Sequence, residues 1–80
     1  MGRTGAIYNR HGKLIMSAAA YHAGIFDMGE LARRTGIPYA SIRIWLTKDF
    51  MCIKYGNLTR LARAAGMTDE EIVELFKERG

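Results

Sequence analysis

The chain has 80 residues, 49% of them hydrophobic, and a formal net charge of +4 at pH 7. This length supports one domain with a small core, which a second copy could complete, so we expect a homodimer. One cysteine excludes an internal disulfide framework, and with two histidines it cannot complete a tetrahedral zinc site. We therefore expect no metal, no cofactor and no small-molecule ligand.

Positive charge is concentrated upstream of the last predicted helix. Residues 1–66 carry ten Lys and Arg against three Asp and Glu, a net of +7, whereas residues 67–80 carry two against five, a net of −3. A basic surface of this kind favours a polyanionic partner. No apolar run is long enough to cross a bilayer, and the start MGRTGAIYNRHGK lacks the apolar centre of a secretory signal, so we expect a cytoplasmic protein.

Residues 1–12 are compatible with a short hairpin or with a basic N-terminal arm, and we favour the arm. The remainder, residues 13–80, is predicted to form one helical domain. Helix 1 begins at Lys13, because KLIMSAAAYHAG is rich in alanine and has apolar residues at helical spacing, and it stops at Gly24.

Helix 2 is predicted from about Met28 to Thr35. Asp27 occupies the N-cap position, with Glu30 three residues later as in a capping box. Gly36 follows as the C-cap residue, because glycine adopts a left-handed conformation without steric cost.

Helix 3 is predicted from Tyr39 to about Lys48, after Ile37 at the turn and Pro38 at the helix start. A connection rich in apolar residues, DFMCIKYGN, leads to helix 4, which stops at Gly66. Thr68 and Glu71 form a capping box for helix 5. Five helices and no strand predict an all-α fold.

No group of titratable residues predicts catalysis. His11 lies in the ambiguous first segment, and His22 lies on an apolar helix, where a partly buried structural histidine is the better interpretation. Nothing in the sequence orients Cys52 towards a base. The acidic cluster at residues 69–71 is explained by its place at a helix N-terminus. We therefore expect that the protein is not an enzyme.

The segment LARRTGIPYASI has the spacing of a DNA-binding helix-turn-helix. Ala32 is small enough for helix 3 to approach helix 2, and Gly36 makes the sharp turn four residues later. Ile37 follows the turn directly, and Ile42 comes five residues beyond it to hold helix 3 down. A helical bundle with no role in DNA binding remains the alternative.

These residues, together with LTRLARAAGMTDEEIVEL, resemble the lambda repressor and Cro family, also called the Xre family, of phage and bacterial regulators. The resemblance covers about residues 13–76 and implies a five-helix, lambda-repressor-like helix-turn-helix domain. The segments are also similar to parts of MerR-type regulators, but only about eight residues connect them here, too few for the wing of that family.

The resemblance implies that helix 3 lies in the major groove of double-stranded DNA. It assigns base contacts to Tyr39, Ala40, Arg43 and Ile44. It assigns phosphate contacts to Met28, Thr47, Lys48 and Lys54. The chain departs from the family because it lacks the side-chain amides that bind adenine, and Met28 replaces a glutamine. We therefore expect the bases to be recognised by Arg43, by the Tyr39 hydroxyl and by apolar contacts to thymine methyl groups.

The predicted function is sequence-specific transcription regulation by a Cro-type phage or prophage repressor, acting as a dimer on a palindromic operator. The predicted dimer surface is Phe50, Met51, Ile53, Tyr55 and Phe76, with ordinary core packing as the alternative. Two roles stay open for Ile44, a contact with a thymine methyl group and a contact in a protein interface. Trp45 is assigned to the core. The alternative function is a helix-turn-helix protein-interaction module, such as a phage-encoded inhibitor of a host nuclease or polymerase.

Overall fold

The first helix, α1, starts where Asn9 caps it. The computed structural model describes residues 7–79, with side chains up to residue 77, and in it the Asn9 Oδ1 accepts a hydrogen bond from the Gly12 N–H at 2.7 Å. Because this contact satisfies a free amide at the helix end, α1 already begins at Arg10. The predicted arm over residues 1–12 is thus too long by three residues, and residues 1–6 lie outside the described part.

The chain continues from α1 through a π-helical turn, Ala19–Ala23, which ends at Gly24 with φ of 68°. The predicted stop at Gly24 is confirmed. His22 within this turn is exposed, so the expectation of a partly buried histidine is wrong.

Five α-helices, one π-helical turn and one 3-10 turn follow one another across residues 7–79, and no strand occurs among them. The all-α prediction is therefore confirmed for the described residues. The α-helices are α1 (Arg10–Ala18), α2 (Met28–Thr35), α3 (Tyr39–Thr47), α4 (Tyr55–Ala64) and α5 (Asp69–Arg79).

The turn between α2 and α3 has the predicted backbone geometry. Gly36 has φ of 76°, and its N–H donates to the Ala32 carbonyl at 2.9 Å. Ile37 is buried after the turn, and Ile42 is fully buried one turn into α3. Three of the four residues named for the hinge therefore pack in or against the core, with Ala32 half-buried, whereas Gly36 is exposed at the turn.

The two predicted helix caps differ in the structure. Thr68 and Glu71 form the complete capping box of α5, with the Thr68 N–H donating to Glu71 Oε1 at 2.8 Å and the Glu71 N–H donating to Thr68 Oγ1 at 3.2 Å. Asp27 accepts from the Glu30 N–H at 2.8 Å, but the Glu30 carboxylate binds arginines of its own helix instead of closing the box.

The core gathers apolar side chains from every helix and from both connections around α3. Its largest fully buried members are Ile15, Ile25, Leu31, Ile42, Leu46, Ile53, Leu58, Leu61 and Leu75. The α1 and α2 helices both pack against α3, which positions the remaining face of α3 outward.

The apolar connection after α3 forms a 3-10 turn, Phe50–Cys52. Phe50 is 3% exposed and Ile53 is fully buried, and the His11 ring stacks on Phe50 with centroids 4.2 Å apart. The prediction that Phe50 and Ile53 belong to a dimer surface is therefore wrong, because a small core uses these side chains to close itself.

Candidate nucleic-acid interface

The α3 helix has one buried face and one open face. Ile42 and Leu46 are fully buried on the first. On the second, six side chains line one shallow concavity of the surface. They are Tyr39, Ala40, Arg43, Ile44, Thr47 and Lys48. We call these six residues the α3 surface. It contains all four predicted base contacts and two of the four predicted phosphate contacts.

The amino end of α3 is held by the turn and lies close to the N-terminal segment. Ile37 anchors the turn in the core, and Tyr8 packs partly buried against the same core. Burial raises the pKa of Tyr8 above its ordinary value, and the nearby Tyr39 and Asp27 raise it further.

The carboxyl end of α3 is held by Asn9. The Asn9 N–H donates to the Leu46 carbonyl at 2.8 Å, and the Asn9 Nδ2 donates to the Trp45 carbonyl at 2.9 Å. Both carbonyls belong to the last turn of α3, where no amide of the same helix can reach them. A single asparagine thus satisfies polar groups at the end of one helix and at the start of another.

Close backbone contact between α1 and α3 depends on Gly12. A Cβ placed at Gly12 would lie 2.1 Å from the Leu46 carbonyl oxygen, so no other residue fits without movement of the helices. Neither the role of Asn9 nor that of Gly12 was predicted from the sequence. Asparagine as an N-cap just before an apolar helical pattern was a usable signal for Asn9. The contact with α3 had no signal in the sequence.

The basic groups of the α3 surface are available to a ligand. Arg43 and Lys48 are exposed, and neither pairs with a carboxylate of the described residues. On α2, by contrast, Arg33 and Arg34 both bind Glu30, with Arg34 Nε 3.0 Å from Glu30 Oε2. Hydrogen bonds from Arg33 and then Arg34 lower the pKa of Glu30 below its ordinary value.

The apolar members of the α3 surface are only half covered. Tyr39 and Ile44 are each 48% exposed. Trp45 lies half-buried and packs against the core, in agreement with its assignment. The Thr47 hydroxyl donates to the Arg43 carbonyl at 2.6 Å, so its proton is engaged within the helix.

Two predicted phosphate contacts lie outside the α3 surface. Met28 is 4% exposed and belongs to the core, so its assignment to a phosphate contact is wrong. The physical reason is that the first turn of α2 needs an apolar residue against the core, and a thioether satisfies that need where a glutamine would not. Lys54 is exposed and precedes α4 as its N-cap residue.

Three of the predicted dimer residues remain on the surface. Met51 is 49% exposed and Tyr55 is 60% exposed. The Tyr55 ring lies 4.0 Å from the ring of Phe76, which is half-buried, and this contact joins the start of α4 to α5.

Within the described part of the chain, no three His, Cys, Asp or Glu side chains are placed to hold a metal ion. No helix of residues 7–79 is long and apolar enough to cross a membrane. Cys52 is exposed, and its Sγ donates to Asp49 Oδ2 at 3.0 Å, which raises the pKa of the thiol. A raised pKa disfavours the thiolate that a nucleophile requires.

Comparison of the chain with family models, with curated proteins and with solved structures gave no match. The resemblance to the lambda repressor and Cro family stays a prediction from the sequence. The α3 surface and the glycine turn before it therefore carry the proposed function.

Proposed function

We propose that the chain is a sequence-specific regulator that binds double-stranded DNA through a lambda-repressor-like helix-turn-helix. The observation that carries the proposal is the α3 surface, in which unpaired basic groups and half-exposed apolar groups lie together on a helix that follows a tight glycine turn. An α-helix with its side chains is about 10–12 Å wide, and the major groove is about 12 Å wide, so α3 has suitable dimensions.

Each group on the α3 surface suits one kind of contact. Arg43 can donate two hydrogen bonds to guanine or bind a phosphate, and the Tyr39 hydroxyl can donate one. Ala40 and Ile44 suit the methyl group of thymine. Lys48 at the end of the helix suits a phosphate, which fixes position without reading sequence.

A Cro-type mode of action requires two copies on one operator. Their α3 helices would lie about 34 Å apart, one turn of DNA, and occupancy of a promoter would repress it. Met51, Tyr55 and Phe76 are the residues of the predicted dimer surface that remain accessible, and we assign them to the contact between copies.

A salt titration of binding to duplex DNA tests the proposal. Each phosphate contact contributes about 0.9 to the slope of log affinity against log salt concentration. We expect the double variant Arg43→Ala/Lys48→Ala to bind less tightly and to lower that slope by about 2. The charge-matched control is Arg63→Ala/Lys77→Ala, because these side chains face Asp69 and Glu74 at distances of 4.0 and 3.6 Å.

An equal loss of slope in both double variants would show that only net charge matters, against a specific α3 contact. Absence of binding to random and to selected duplexes at low salt would reject the DNA-binding function altogether.

The second candidate is a protein-interaction module that uses the same helix. The half exposure of Tyr39 and Ile44 favours it, because apolar side chains also fit a groove in a protein. Under this function the variant Ile44→Ala would weaken a partner complex, and duplex DNA would not bind at any salt concentration.

A further inference from the structure

A second concavity lies between α1 and α5, away from the α3 surface. Its floor is apolar and contains Leu14 and Ala18 from α1, Met67 before α5, and Leu75. Leu75 is buried, but Leu14 remains 46% exposed although it is an aliphatic residue on a helix. We call this concavity the α1–α5 groove. Apolar side chains that line an open groove are the usual contacts of an amphipathic helix that binds in it.

The rim of the groove is acidic. Glu71 and Glu74 complete its lining, and no Lys or Arg lines it. The same two carboxylates border a neighbouring concavity that also contains Glu70. Lys77 lies 3.6 Å from Glu74, but both side chains are about 70% exposed, so this pair is readily exchanged for another cation.

We propose that the α1–α5 groove binds a basic amphipathic segment of another protein, with an apolar residue on Leu14 and Lys or Arg side chains against Glu71 and Glu74. Charge complementarity selects this occupant. A nucleic acid is disfavoured because its phosphates would meet the same carboxylates. A symmetric contact between two copies is disfavoured because it would place the two acidic rims against each other.

The groove and the α3 surface have no lining residue in common. A basic segment can therefore bind the groove whether or not α3 binds DNA, and each function can fail without the other. If both hold, the groove connects a DNA-bound copy to a second protein.

The probe for the test is a fluorescently labelled synthetic helix of leucine and lysine with one apolar face. Binding to the whole chain is measured by fluorescence anisotropy. We expect Leu14→Gln to weaken binding about tenfold, because it removes the apolar anchor. We expect Glu74→Gln to weaken it about threefold, because one carboxylate of the rim loses its charge.

Val73→Gln is the matched control for Leu14→Gln. Val73 lies on α5 with 48% exposure, close to that of Leu14, but it does not line the groove. Its substitution should leave the affinity unchanged. Because Glu74 is exposed, Glu74→Gln keeps the proposal testable even if Leu14→Gln alters the fold.

Five results would overturn the proposal. The first is that the labelled peptide does not bind, and the second is that a peptide with glutamate in place of lysine binds equally well. The third is that the peptide has the same affinity for Leu14→Gln, Glu74→Gln and Val73→Gln. The fourth is that the peptide changes amide chemical shifts on the α3 surface and not at Leu14, Met67 and Leu75. The fifth is that Leu14→Gln converts a dimer to a monomer in sedimentation, which would identify the groove as a contact between copies.

Discussion

The two ends of α3 are held in place by different means. At the amino end, the Gly36 turn and Ile37 join α3 to the helix directly before it in the chain. At the carboxyl end, Asn9 and Gly12 contact the last turn of α3 although Asn9 is 36 residues away from Trp45. One end is thus fixed by local chain geometry and the other by tertiary contact.

The difference matters because the α3 surface can present its side chains to a ligand only if both ends hold the helix still. A recognition helix fixed at one end alone could rotate about its turn, and Lys48 would move most. The contact between α1 and α3 is therefore expected to be as important for the surface as the glycine turn, which has the more visible sequence pattern.

The largest effect is expected for Gly12→Ala. In an ordinary helix this change stabilises by about 1 kcal/mol, because alanine has the higher helix propensity. Here the new Cβ would lie 2.1 Å from the Leu46 carbonyl oxygen, so we expect a loss of about 3 kcal/mol in the free energy of unfolding. Urea unfolding followed by the fluorescence of Trp45 measures it, and a stabilised variant would contradict the close contact.

A smaller loss, about 1–2 kcal/mol, is expected for Asn9→Ala, which removes the cap of α1 and the bond to the Trp45 carbonyl. Asn9→Ser is the matched control, because a hydroxyl can still cap α1 but cannot reach Trp45. We expect Asn9→Ser to fall between Asn9→Ala and the parent chain. If Asn9→Ser is as stable as the parent chain, the side-chain bond between the helices contributes nothing.

At the other end of α3, Gly36→Ala should cost about 1 kcal/mol. Nothing lies within 4 Å of the added Cβ, so the loss comes only from the left-handed backbone, with φ of 76°. Gly56→Ala is the control, since Gly56 also has open space but lies inside α4 without a positive φ. It should stabilise by about 0.5–1 kcal/mol. Equal effects in the two variants would exclude the role of the turn.

The smallest effect concerns the 3-10 turn after α3. Because the hydrogen bond to Asp49 raises the pKa of Cys52, we expect the folded thiol to react with iodoacetamide more slowly at pH 8 than an unfolded control, and Asp49→Asn to speed the reaction.

The sign of its contribution to stability follows from the raised pKa. The contribution is full below the pKa of the unfolded thiol, and it is lost as pH rises through the pKa of the folded one. An alkylation rate that does not change in Asp49→Asn would show that the hydrogen bond does not control the thiol.

The elements predicted correctly from the sequence depend on local chemistry. The Gly36 turn, the Thr68–Glu71 capping box and the bounds of α2 follow from residues within a few positions of one another. The errors arose where tertiary packing decides. A phosphate contact was predicted for Met28 and a dimer contact for Phe50 and Ile53. All three side chains are buried because they fill the core.

The candidate site divides in the same way. The family resemblance assigned Tyr39, Ala40, Arg43 and Ile44 to one contact surface, and these four side chains line one concavity of the folded chain. The contact of α1 with α3 could not be predicted, because Asn9 reaches α3 only after the chain has folded. The pairing of Arg33 and Arg34 with Glu30 was readable from their spacing of three and four residues on one helix, but it was not predicted.

Binding of duplex DNA by the α3 surface is best tested by amide chemical-shift mapping. The ligand is a duplex obtained by selection from random sequence, added to the labelled chain at low salt. We expect shifts concentrated at residues 39–48, with smaller changes near Asn9 and none in the α1–α5 groove. Shifts confined to other helices, or no shift at any concentration, would contradict it.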